Sequence, residues 1–129
     1  MRAFAFLFLI LIGAAQPNGE PLRTRVVTAT FLGWERGDYL WARLDVRGRG
    51  RISAMPGDDP IGPFLEARRA RPLRVWLARV RVTLPEAGTV EIERIVRARD
   101  SRINAGQWWS RLSPAHRRAW LRRYREAIQ

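Results

Sequence analysis

The sequence contains no cysteine and no lysine, and it has a single histidine. Without cysteine the chain cannot build a disulfide framework, a thiolate zinc site, a cysteine nucleophile or a lipidated cysteine anchor. One histidine excludes a metal centre made of several imidazoles. Also absent are a GxSxG nucleophile motif, a phosphate-binding loop, an HExxH zinc motif and a Rossmann glycine pattern. These absences disfavour the common classes of enzyme.

What the chain has in excess is positive charge. All 24 basic residues are arginine, against 12 acidic residues, and the net charge is +12 over 129 residues. Hydrophobic residues make up 47% of the chain, which is typical of a globular domain and too many for a disordered one. The length allows one small domain with its own core. A codon bias explains arginine in place of lysine, but it does not explain the excess of charge.

The N-terminal segment has the pattern of a secretory signal peptide. Arg2 precedes an unbroken apolar run over residues 3–12, and small residues follow at positions 13–15. A transmembrane anchor is the alternative, but thirteen apolar residues rise only about 20 Å as a helix, short of the roughly 30 Å hydrocarbon core. We therefore expect cleavage near Ala15, a flexible lead-in over residues 16–23 and a periplasmic or secreted mature protein.

Five segments rich in β-branched and aromatic residues are predicted to be strands. They cover residues 24–34, 39–46, 51–55, 73–84 and 89–99. The second strand alternates cleanly and turns one face inward, formed by Leu40, Ala42, Leu44 and Val46. In the fourth and fifth strands the apolar phase changes partway, which indicates a bulge or a bend.

A short helix is predicted between the third and fourth strands. Asp59 is its N-cap, Pro60 its first helical residue, and Pro72 ends the run. Three bending strands, a helix and two further strands resemble the OB-fold, a five-stranded Greek-key barrel. The resemblance is one of topology over about residues 24–99, and the general style is similar to small secreted proteins of the bacterial envelope. It implies a mainly β, OB-like barrel over residues 24–100, with a split β-roll as the alternative.

Residues 101–129 are predicted to form a basic C-terminal region. Ser113 as N-cap and Pro114 at the first helical position predict a helix that runs to residue 128. Its apolar stripe consists of Trp120, Tyr124 and Ile128. Its candidate binding residues are Arg117, Arg118, Arg122, Arg123 and Arg125. Such a helix is compatible with docking on the barrel, lying on an anionic membrane surface or entering an acidic protein groove.

The outer face of the second and third strands is the candidate ligand-binding surface. Its candidate residues are Tyr39, Trp41, Arg43, Arg49 and Arg51. In an OB-fold this face commonly binds oligonucleotides and oligosaccharides, because rings stack on bases or sugars and arginine grips anionic groups. The alternative is that the terminal helix, with its tryptophans, covers Tyr39 and Trp41 and makes them part of a second core.

Catalytic and metal-binding candidates are few, and each has an ordinary structural explanation. His116 lies in the terminal helix without a neighbouring serine or carboxylate in the sequence. Asp58 and Asp59 could contribute to a cation site, but a capping turn explains both. Glu91 and Glu93 share one strand face, where nearby arginines predict surface ion pairs.

We therefore expect a non-enzymatic, monomeric, exported binding module that needs no metal or cofactor. Its expected partner is a polyanion, such as an anionic lipid surface, an acidic glycan or a nucleic acid. The alternative is a structural or interaction protein of the cell envelope that docks on an acidic protein.

Overall fold

The computed structural model describes residues 21–37, 39–58 and 60–129. The strands are β1 (Pro21–Arg36), β2 (Leu40–Val46), β3 (Gly50–Pro56), β4 (Pro72–Leu84) and β5 (Gly88–Arg99). The helices are α1 (Ile61–Ala67), α2 (Ala105–Arg111) and α3 (Pro114–Ala127). The predicted signal peptide lies outside the described residues. None of the helices in the described part of the chain is long and apolar enough to span a bilayer.

The five strands form a closed barrel in the order β1-β2-β3-β5-β4, with β4 returning to pair with β1. All neighbours are antiparallel except β3 and β5, whose short parallel contact aligns Met55 with Arg94 and Pro56 with Ile95. With α1 between β3 and β4 and a helix at the C-terminus, the predicted fold class is confirmed. This architecture is compatible with an OB-like fold.

The core lies inside the barrel and beneath α1. Phe31, Leu44 and Val75 point inward from three strands and are fully buried. Phe64 and Leu65 of α1 are also fully buried, so this two-turn helix closes one end of the barrel. Burial of these side chains is the main stabilising contribution, at about 25 cal/mol per Å² of apolar surface.

The register between β4 and β5 is irregular next to the predicted phase changes. Trp76 pairs with Arg97 but Leu77 pairs with Ile95, so that Val96 is an extra residue on β5. This is a β-bulge, in which two residues of one strand oppose one residue of the other. It lets Ile95 and Ala98 both face the core although they lie three positions apart.

Several of the predicted boundaries differ from the structure. α1 ends at Ala67, and Pro72, which was predicted to end it, is the first residue of β4. β1 begins at Pro21, and residues 21–23, which the sequence placed in a lead-in, lie in this strand and extend its pairing with β4. α1 begins at Ile61 with Pro60 as N-cap and without a side-chain capping hydrogen bond. The prediction that Pro60 is the first helical residue was therefore wrong. Burial of the first turn against the barrel positions this helix, and the predicted cap, Asp59, lies outside the described residues.

The C-terminal helices are positioned by caps. Ser113 Oγ accepts a hydrogen bond from the backbone N–H of His116 at 3.1 Å, which confirms the predicted start of α3. α2 was not predicted, although its signal is present: the Asn104 side chain and the Gln107 side chain cap each other's backbone N–H groups at 2.8 and 3.1 Å. This capping box satisfies two amide groups that the short helix leaves free.

Asp100 holds the connection between β5 and α2. Its carboxylate accepts hydrogen bonds from the backbone N–H groups of Arg102 at 2.7 Å and Ile103 at 2.8 Å, and from Arg68 Nε at 2.9 Å. Desolvation by burial raises the pKa of Asp100, but the two backbone donors and the Arg68 guanidinium outweigh it. The pKa therefore lies below its ordinary value.

Barrel closure predicts a sharp difference between two glycines. A Cβ on Gly57 would collide with the backbone oxygen of Ile95, whereas a Cβ on Gly37 would meet open space. Gly57→Ala should therefore lower the free energy of unfolding by about 1–3 kcal/mol, because the β3–β5 contact must move. Gly37→Ala is the control and should change it by less than about 0.5 kcal/mol. Equal effects of the two variants in urea denaturation would contradict this account of closure.

The lowered pKa of Asp100 predicts a defined pH dependence. A carboxyl whose pKa is depressed by folding stabilises the fold above its unfolded pKa of about 4, and this contribution is lost as the pH falls through the folded pKa. Asp100→Ala should cost about 1–3 kcal/mol at pH 7, since it leaves two amides without their acceptor. Denaturation at a series of pH values should show the two proteins converging below about pH 4. A stability difference independent of pH would contradict this role for the carboxylate.

Candidate functional site

The outer face of β2 and β3, which we call the β2–β3 face, is open to solvent. Arg43 lies opposite Ser53 and Asp45 lies opposite Arg51 in the pairing of the two strands, and all four side chains are exposed. The inward residues of β2 are buried as predicted, which fixes the alternate residues outside. Neither Arg43 nor Arg51 forms an ion pair with any residue that the structure describes.

Trp41 provides the aromatic surface of the β2–β3 face. It lies opposite Glu35 of β1, and its ring is partly exposed. Together with Arg36, Gly37 and Ser53, these two residues line a shallow depression of about 300 Å³. A ring at the floor of an open depression beside arginine can stack on a planar ligand while the guanidinium contacts its charge.

Two of the candidate residues lie beside this face, not on it. Tyr39 precedes β2, and its hydroxyl donates to Glu86 Oε1 at 3.2 Å, which joins the loop before β2 to the turn between β4 and β5. Arg49 lies in the β2–β3 turn, where its backbone N–H donates to the oxygen of Val46 at 2.9 Å. The expectation that Arg49 continues the outer face of β3 was wrong, because the tight turn extends to this residue.

The terminal helix buries its aromatic residues at a different place. Trp120 packs on Trp108 with ring centroids 5.8 Å apart, and Tyr124 packs on Trp34 at 5.3 Å. Tyr124 also lies against Gly62 of α1, where a Cβ would meet its ring. α3 therefore docks on α1 and on the closed end of the barrel. Its C-terminal end reaches the rim of the Trp41 depression through a hydrogen bond that Arg36 donates to the backbone oxygen of Ile128 at 3.1 Å.

The arginines of α3 do not form one equivalent set. Arg117 donates to the backbone oxygens of Trp109 at 3.0 Å and Ser110 at 3.2 Å, so it caps the end of α2. Arg123 lies over the ring of Trp120, with its guanidinium carbon 4.8 Å from the ring centroid. The remaining candidates, which form an exposed stripe, are Arg118, Arg122 and Arg125.

The catalytic candidates are exposed or engaged in ion pairs. His116 is exposed in the first turn of α3. Glu91 contacts Arg79 at 3.9 Å and Arg81 at 3.7 Å, and Glu93 contacts Arg25 at 2.5 Å. The predicted ion pairs are present, but the arginines that pair with Glu91 and Glu93 lie on β4 and β1. They are not the sequence neighbours, because the pairing of the strands determines which side chains lie next to each other. Asp58 is exposed, and Asp59 is outside the described residues. Within the ranges described, no three acidic, histidine or cysteine residues gather as metal ligands.

Sequence reasoning missed a second basic and aromatic surface, on β1, β4 and β5. Val26 pairs with Trp76, which pairs with Arg97, so that the three side chains form a row across the strands. The Arg97 guanidinium lies 4.6 Å from the centroid of the Trp76 ring. Val26 and Val96 are the exposed large hydrophobic residues of the described part, at 49% and 38%. Alternation in β4 contained a signal for this surface, since Arg74 and Trp76 share the side opposite the inward residues.

Comparisons with known proteins add no further assignment. No family model matches the chain, and neither a curated protein nor a solved structure matches it. The function is therefore inferred from the described geometry: an open, basic and aromatic strand face on a closed five-stranded barrel.

Proposed function

We propose that this chain is an exported, OB-like binding module without catalytic activity, and that its β2–β3 face holds a polyanion. The observation that carries the proposal is the partly exposed ring of Trp41 beside Arg43 on a face that the terminal helix leaves open. A covered ring would have favoured a second core. Guanidinium groups without carboxylate partners retain their paired donors for a ligand.

The chemistry of the face favours a chain of anionic groups over a single small ligand. The depression at Trp41 is shallow and has no enclosed walls, whereas small-molecule sites usually bury most of the ligand. Arg36 lies at the rim of the depression, and Arg43 and Arg51 lie on the face, so successive anionic groups could each meet a guanidinium. Asp45 is the negative charge on the face, and it reduces the attraction for an anionic ligand without cancelling it.

Binding should depend steeply on salt. We take single-stranded oligo-dT of about twenty nucleotides as the probe, since a single strand contributes a slope of about −0.7 for each phosphate contacted. With three arginines engaged, log K should fall against log salt with a slope of about −2. Fluorescence anisotropy between low and high salt measures it. An affinity that stays flat with salt would contradict polyanion binding.

Two single variants should locate the site. Trp41→Ala should weaken oligo-dT binding by about 5- to 150-fold, which corresponds to the 1–3 kcal/mol of one stacked base. Arg43→Gln should weaken it less and reduce the salt slope by about 0.7. Neither change should greatly lower the free energy of unfolding, because both side chains face solvent.

Arg81→Gln is the matched control for Arg43→Gln, because it removes the same charge from an exposed strand residue away from the face. Loss of stability comparable with loss of affinity in Trp41→Ala would mean that the ring belongs to the core. Unchanged binding in Trp41→Ala together with lost binding in the double variant Arg118→Gln/Arg122→Gln would move the site to α3. Absence of oligo-dT binding by the wild-type protein would favour the alternative, a protein that docks on an acidic partner.

A further inference from the structure

The pairing of β4 with β5 places charges in two opposite ways. Towards the β4–β5 turn, Arg79 faces Glu93 and Arg81 faces Glu91, with nitrogen–oxygen distances of 3.6 and 3.7 Å. At the other end of the same ladder, Arg74 directly faces Arg99. Like charges directly opposite each other on neighbouring strands destabilise a sheet. The strand pair is therefore complementary at one end and self-repelling at the other.

The nearby carboxylate does not relieve this repulsion. Asp100 follows Arg99, but its oxygens are occupied by Arg68 and by two backbone N–H groups. Arg99 Nε instead donates to the backbone oxygen of Asp100 at 3.0 Å. Within the part of the chain that the structure describes, neither Arg74 nor Arg99 has an ion-pair partner. The pair retains its uncompensated positive charge.

Arg74 and Arg99 lie in a groove that runs across Pro72. The central depression, of about 340 Å³, is lined by both arginines together with Thr28, Pro72 and Asp100. Two further depressions share Pro72 with it. The charged residues that these two add are Arg47, Arg68, Arg71, Arg102 and Asp45, and of these Arg68 is paired with Asp100. We call these three adjacent depressions the Pro72 groove.

Strained backbone borders the Pro72 groove. Ala70 adopts φ of 66°, a left-handed conformation that a residue other than glycine rarely takes. It is held there by a hydrogen bond from its backbone N–H to the oxygen of Phe31 at 3.0 Å. Strain of this kind persists where surrounding contacts over-determine it, and it is concentrated at functional sites. Here it fixes the chain immediately before Arg71 and Pro72.

We propose that the Pro72 groove binds the phosphate groups of an extended anionic chain. Paired guanidinium groups match the oxygens of a phosphate, and a phosphate between Arg74 and Arg99 would turn their repulsion into attraction to a shared ligand. Three adjacent depressions provide room for consecutive phosphates, whereas one phosphate would fill only the central depression. The proposal rests on the proposed function for its ligand class, but it assigns a surface separate from Trp41.

Tripolyphosphate and inorganic phosphate are the probes, and the change in melting temperature and the dissociation constant are the readouts. Arg74→Gln should weaken tripolyphosphate binding by about 5- to 20-fold, as expected for a lost charge-assisted hydrogen bond at a partly exposed site. Without ligand, the same variant should melt about 1–4 °C higher, because it removes a like-charge pair. Weaker ligand binding together with a higher melting temperature distinguishes a ligand site from a structural role, because loss of a structural residue would lower the melting temperature.

Arg81→Gln is the matched control, since it makes the same substitution on the same strand at a residue paired with Glu91. It should leave the affinity within about twofold and should not raise the melting temperature. Inorganic phosphate should bind much more weakly than tripolyphosphate. Equal affinity for the two probes would overturn the extended chain, and an Arg74→Gln variant with unchanged affinity would overturn the site.

The two proposals fail in different ways. Loss of tripolyphosphate binding in Trp41→Ala but not in Arg74→Gln would contradict the site in the Pro72 groove and support the site on the β2–β3 face. Loss in Arg74→Gln but not in Trp41→Ala, with oligo-dT binding unaffected by Trp41→Ala, would retain the groove and remove the face. If the wild-type protein bound neither tripolyphosphate nor oligo-dT, both proposals would be overturned.

Discussion

The whole molecule depends on the short parallel contact that closes the barrel. Only two residue pairs, Met55 with Arg94 and Pro56 with Ile95, join β3 to β5. The backbone can come this close because Gly57 follows immediately and has no side chain to collide with Ile95. If this contact opened, the closed barrel would become a curled sheet with two free edges, and its inward Phe31 and Leu44 would lose their enclosure.

Closure also decides how the tryptophans are used. Because α1 closes one end of the barrel, its Phe64 forms the platform on which Trp108 packs, with centroids 5.6 Å apart. Trp34 donates from Nε1 to Glu66 of α1 at 2.9 Å, and Tyr124 packs on it from α3. These rings are used in packing the terminal helices at that end. Trp41, on the strand wall, remains available to solvent, and this separation is the basis of the binding proposal.

The sequence predicted features that depend on local patterns. The alternation of β2, the phase changes of β4 and β5 and the Ser113–Pro114 start of α3 are each visible in a few neighbouring residues. α2 was missed because a two-turn helix has too short a periodic pattern, although the Asn104–Gln107 capping box was legible. The ladder partners could not be predicted, since the opposition of Arg74 and Arg99 depends on a register that crosses a bulge. For the same reason, the partners of Glu91 and Glu93 were sought among their sequence neighbours.

The bulge at Val96 has one more consequence, which concerns the spacing of the chain. Strict alternation from the inward Ile95 would turn Arg97 and Arg99 into the core, where unpaired guanidinium groups would be strongly destabilising. The extra residue reverses the phase, places Ala98 inside and leaves both arginines outside. The number of residues between Ile95 and Ala98 is therefore constrained more tightly than their identity. Substitutions at Val96 are tolerable in principle, whereas deletion of this residue would point the outward side chains that follow it, Arg97 and Arg99, into the core.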